Sequence, residues 1–104
     1  MWENPNPTSN QSGGAITTKD ASAYKYLIIG KKKTTTGSGV QYEKIKYEVT
    51  NFFLSLVEHV PSDIYSRALT ISSGTSMTLS SGYKNGSADD SACIITEIYG
   101  TNIL

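Results

Sequence analysis

Apolar residues in this chain fall into short segments rich in β-branched and aromatic side chains, separated by clusters of Gly, Ser, Thr and Asn. That punctuation limits the chain to short elements and favours strands. Ala23 to Gly30, with Tyr24, Tyr26, Leu27, Ile28 and Ile29, reads as a strand, and Lys31 to Gly39 as a hairpin end or exposed loop. Val40 to Val49 fits two periods. A strand puts Ile45, Tyr47 and Val49 opposite Lys44, Lys46 and Glu48, whereas a helix aligns Tyr42, Ile45, Val49, Phe52 and Leu56. The strand is preferred because Val, Tyr and Ile dominate and the preceding segment offers a partner.

Asn51 to Val60 carries Phe52, Phe53, Leu56, Val57 and Val60 at spacings of three and four, with Thr50 or Asn51 as N-cap and Pro61 as the stop. This pattern predicts one amphipathic helix. Ser62-Asp63 then caps a short turn through Tyr65. Further on, Ala68 to Ser72 and Ser76 to Ser80 alternate, with Leu69, Ile71, Met77 and Leu79 inward, which reads as a tight hairpin. Asn85-Gly86 suits a hairpin turn that needs positive φ, and Ala92 to Tyr99 supplies a last apolar strand. The expected fold class is α+β and mainly β: a small antiparallel sheet, or a sandwich or barrel, with one amphipathic helix over 51–60 and an extended N-terminal arm.

Residues 1–22 are that arm, polar and rich in Pro, Asn, Ser, Thr and Gly, and 23–104 form a single β-rich domain. Pro5 and Pro7 hold extended backbone, and Gly13-Gly14 is a joint. Such a segment buries too little apolar surface to offset the entropy of ordering it, so something must hold it down. A neighbouring subunit is the expected holder. Trp2, the arm's only aromatic residue, is then an anchor for another chain, and Trp2, Pro5 and Pro7 are the expected inter-subunit contacts.

Formal net charge is zero, which removes the whole-molecule electrostatics of a nucleic-acid binder. Charge is nevertheless split along the chain. Over residues 25–46, Lys25, Lys31, Lys32, Lys33, Lys44 and Lys46 face only Glu43, while from Tyr47 onward Glu48, Glu58, Asp63, Asp89, Asp90 and Glu97 outnumber Arg67 and Lys84. The split pairs the halves internally or steers copies head to tail. A single cysteine, Cys93, rules out an internal disulfide. No signal-peptide pattern opens the chain and no run reaches the roughly eighteen apolar residues of a membrane span, so the expectation is a protein made soluble in the cytoplasm, without membrane association. Asn10-Gln11-Ser12 and Asn85-Gly86-Ser87 match the glycosylation triplet by chance.

Candidate chemistry is sparse. Gly30 to Gly37 has the glycines and lysines of a phosphate loop but not its spacing. Lys31, Lys32, Lys33 and Lys44 are candidate contacts for an anionic partner, with Tyr24 and Tyr26 as stacking faces; a solvated hairpin tip explains the same lysines. His59 reads as a cation at a helix C-terminus, Cys93 as a small core side chain, and Asp89-Asp90 with Glu97 or Asp63 as turn residues rather than a metal site. Seven tyrosines fit a protein or glycan contact surface, Tyr83 and Tyr99 foremost. The expectation is a noncatalytic structural subunit of a multimeric assembly, a small virion protein such as a capsid, decoration or tail component, with no cofactor, metal or small-molecule substrate. Its partners are copies of itself or another assembly protein. The alternative is a small binding module, for nucleic acid through the Lys31–Lys33 loop or for a host protein or glycan through the tyrosines.

Overall fold

A computed structural model describes residues 2–36, 39–59 and 62–103. Among the described residues, alternating apolar positions pair into ten strands: β1 Trp2–Glu3, β2 Gly14–Thr17, β3 Tyr26–Thr34, β4 Gln41–Lys46, β5 Asn51–His59, β6 Ser62–Ile71, β7 Ser76–Leu79, β8 Tyr83–Lys84, β9 Ser87–Ala88 and β10 Ala92–Thr101. They form two antiparallel sheets. The first has the order β1-β10-β3-β4. The second has the order β2-β7-β6-β8-β9, with β5 on the other edge of β6. Between the sheets lie Leu27 and Ile29 of β3, Leu54 and Leu56 of β5, Leu69 and Ile71 of β6, Met77 of β7, and Ile95 and Ile98 of β10, all buried.

The expected helix over 51–60 is absent: Asn51–His59 is a strand, paired with β6 from Asn51↔Thr70 to His59↔Ser62. Its apolar residues satisfy both periods, and the two-residue period wins. Leu54 and Leu56 enter the core with Phe52 packed against it, while Phe53 and Val57 face outward. Nine pairs of strand partners outweigh a helix that would leave that edge of β6 bare. With the helix goes the dipole role of His59, whose side chain lies outside the described residues, as do Val60 and the stop at Pro61. Ser62-Asp63 opens β6 instead of capping a turn.

A second correction concerns Lys31, Lys32 and Lys33, which belong to β3 rather than to an exposed loop. Gly37 and Ser38 lie outside the described residues. The strand at 40–49 ends at Lys46, leaving Val49 exposed. The hairpin of β6 and β7 pairs Ile71 with Met77, and Asn85 and Gly86 take positive φ in the two-residue turn joining β8 to β9.

The N-terminal segment lies against its own chain. Trp2 pairs with Ile98 and packs on the core, β2 pairs with β7, and Ile16 and Ala21 are buried. Between β1 and β2 the segment follows the outer edge of β10. There the Asn4 amide donates to the Thr96 carbonyl, and Gln11 both donates from Nε2 to the Ile95 carbonyl and accepts from the Ile95 amide. The edge of β10 is covered in this way, an arrangement that also satisfies backbone groups a bare edge would leave open.

Arg67 of β6 secures this junction. Its guanidinium is wholly buried, and all five N–H groups donate to backbone carbonyls: Nε to Cys93 at 2.9 Å, Nη1 to Gln11 and Ser80 at 2.7 Å each, Nη2 to Ala92 at 3.1 Å and Asp90 at 3.4 Å. One side chain thereby ties the N-terminal segment, the β7–β8 connection and the start of β10 together. Burial draws its pKa down, opposed by the nearby Cys93 and Asp90 groups.

Cys93 sits beside this clamp with φ of 49°, in the left-handed region. Burial pushes its thiol from an ordinary 9.0 up to about 11, against relief from the Arg67 and Lys31 charges. The thiol is therefore protonated at neutral pH and is no nucleophile. Because the folded-state value is the higher, the unfolded chain loses this proton first. Stability is thus fully present below pH 9.0 and falls by about 2–3 kcal/mol as pH rises to about 11. Denaturant midpoints measured across that window check this, with Cys93→Ala losing the Cys93-dependent part of the slope.

Candidate binding surface

The outward face of the first sheet gathers aromatic and charged side chains in rows set by strand register. One row runs Tyr42–Gly30–Glu97–Glu3 across β4, β3, β10 and β1. The next two run Lys44–Ile28–Tyr99 and Lys46–Tyr26–Thr101. Gly30 has no side chain, so the Tyr42 hydroxyl crosses β3 and donates to Glu97 Oε1 at 2.7 Å. A Cβ at Gly30 would lie 2.5 Å from Thr96 Oγ1 and 3.0 Å from Glu97 Cγ. The hydrogen bond to Glu97, then desolvation and the Glu97 charge, raise the Tyr42 phenol above its usual pKa. Lys44 Nζ lies 5.2 Å from the centre of the Tyr26 ring. Tyr42 remains 56% exposed.

At the β1 end of this face a cavity of about 560 Å³ opens between the N-terminal segment and the sheet, lined by Glu3, Asn4, Pro7, Thr8, Lys32, Val40, Thr96 and Glu97. The β10 register shifts between Ile95 and Glu97, so Thr96 is the extra residue of a bulge. Its hydroxyl oxygen is buried and has no hydrogen-bond partner among the described residues. Ile94, the cross-strand partner of Lys32, is fully buried yet stands apart from the inter-sheet core.

The expected site residues divide. Lys31 is buried between the sheets, ion-paired with Glu43 and donating to the Ser55 carbonyl. Lys32 is 7% exposed and donates to the carbonyls of Pro7 at 3.2 Å and Thr35 at 3.3 Å. Lys33 is exposed and Lys44 lies over Tyr26, so the four lysines do not form one patch. Trp2 is half-buried against its own core, Pro5 is exposed, and Pro7 lines the cavity. No family model matches this chain, and no match was found among curated proteins or solved structures.

Tyr99 joins the first sheet's face, whereas Tyr83 stands on the second sheet beside Ser66. Asp89 accepts from the amide and hydroxyl of Ser91, which lowers its pKa, and Asp63 accepts from Asn85. Among the described residues, no three His, Cys, Asp or Glu side chains are grouped to hold a metal ion. Sequence reasoning missed Tyr42, Glu97 as its partner, and Gln11 and Arg67. The signal for Tyr42 and Glu97 was a glycine inside an apolar strand, which marks close approach by another group.

Proposed function

We propose that this protein is a noncatalytic structural subunit of a multimeric assembly, of the kind that serves as a small capsid, decoration or tail component of a virion. The observation that carries this reading is an apolar stripe on the outer face of the second sheet. Phe53 is 71% exposed, Val57 58% and Ile64 49%, and Val57 pairs directly with Ile64. They lie on β6 and on β5, a nine-residue strand whose only strand partner among the described residues is β6. A long edge strand with exposed apolar side chains invites association, and natural proteins usually blunt such edges. Here copies of the chain cover it.

Contacts between copies are assigned to this stripe rather than to Trp2, Pro5 and Pro7, because the N-terminal segment is engaged by its own sheets. Nucleic acid is not the favoured partner, since Lys31 is ion-paired with Glu43 inside the protein and the four lysines do not form one patch. Light scattering on the full chain tests the reading. The expected result is a multimer that falls to a monomer in the double variant Phe53→Ser and Val57→Ser, with circular dichroism unchanged. A wild-type monomer at all concentrations would sink the proposal.

A further inference from the structure

We infer that the cavity between the N-terminal segment and the first sheet binds an acidic saccharide, a site that stands independently of the assembly reading. Its cationic wall is Lys32. Lys32 as a residue is almost wholly buried, its two acceptors are neutral carbonyls at 3.2 and 3.3 Å, and among the described residues no carboxylate lies within ion-pair distance of its ammonium. Arg67 has a carbonyl for each of its five N–H groups, whereas the three N–H groups of Lys32 meet only two acceptors, which leaves one donor for a negative group from outside. A single ammonium suits a single carboxylate.

The opposite wall selects what accompanies that carboxylate. Glu3 and Glu97 face each other directly across β1 and β10, and like charges in that position repel. Ligand hydroxyls donating to both carboxylates relieve the repulsion, and a single negative charge held at Lys32 adds less to it than a multiply charged phosphate would. Tyr42 holds Glu97 from the far side, leaving its other oxygen open to a ligand. Thr96 lies on the same wall, and Pro7 and Val40 offer apolar surface to the C–H face of a sugar ring. A cavity of about 560 Å³ falls in the range that holds small ligands.

An amide-shift titration of the full chain by NMR tests this, with sialyllactose, lactose and acetate as probes. Sialyllactose is expected to move the amides of Lys32, Val40, Thr96 and Glu97. Lactose, which lacks the carboxylate, and acetate, which lacks the ring hydroxyls, are expected to bind at least about tenfold more weakly. Lys32→Met keeps the buried stem and should retain the fold while losing about tenfold in affinity for sialyllactose. The inference fails if sialyllactose moves none of these amides, if lactose binds equally well, or if its shifts map to the second sheet. Should Lys32→Met not fold, Glu97→Gln in the same titration decides: weaker binding with unchanged circular dichroism supports the site, and unchanged binding removes it.

Discussion

Replacing Arg67 by alanine should cost at least about 3–5 kcal/mol, enough to leave a domain of this size with little or no folded population at 25 °C. The substitution removes a buried side chain and strands the carbonyls of Gln11, Ser80, Asp90, Ala92 and Cys93. Each carbonyl left dry and unpaired costs on the order of 1–3 kcal/mol, and local opening to water recovers only part of this. Arg67→Met separates the two contributions. It fills most of the volume and satisfies none of the carbonyls, so it too should be severely destabilised. Lysine keeps the charge, but three N–H groups on one atom cannot meet five acceptors drawn from separate segments. Urea denaturation followed by circular dichroism checks all three, and a loss below about 1 kcal/mol for Arg67→Met would show that packing, not carbonyl pairing, is what Arg67 contributes.

Deleting residues 2–22 should abolish the cooperative fold rather than release a folded domain. The deletion removes β2 from the edge of β7, takes Ile16 and Ala21 from the core, strips Gln11 from Arg67 and Ile95, and uncovers the outer edge of β10. Losing even one buried Ile side chain costs roughly 2–5 kcal/mol, so the sum exceeds the whole stability of a small domain. The expected product is insoluble or lacks a sharp thermal transition. A soluble monomer with a sharp transition and the strand signal of the full chain would instead show that the segment is an accessory. This experiment also bears on the assembly reading, because an arm held by its own chain has no free length with which to reach a neighbour.

How far the sequence reached is clearest at β5. Phe52, Phe53, Leu56 and Val57 satisfy a helical stripe as well as an alternating strand, and nothing within the segment decides between them. The decision lies with β6, whose backbone groups need partners along that edge. The lysines of β3 show the same limit. Three consecutive lysines after Gly30 look solvated, and only the meeting of β3 with β4 and β5 supplies Glu43 and the Ser55 carbonyl to Lys31. The cavity was illegible for a related reason: its walls come from Glu3, Asn4, Pro7, Thr8, Lys32, Val40, Thr96 and Glu97, far apart along the chain.

What the sequence alone determined is local. Alternation placed Leu69, Ile71, Met77 and Leu79 inside, Asn85-Gly86 marked its turn because few other residue pairs accept positive φ twice, and the apolar run after Ala92 marked the last strand. Tertiary structure decided the rest: the strand at β5, the burial of Lys31 and Lys32 on opposite faces of β3, and the docking of the polar N-terminal segment. Each depends on a hydrogen-bond partner remote in sequence. A buried ammonium or an open strand edge is tolerated only when such a partner arrives, and a linear pattern of side chains does not say which one will.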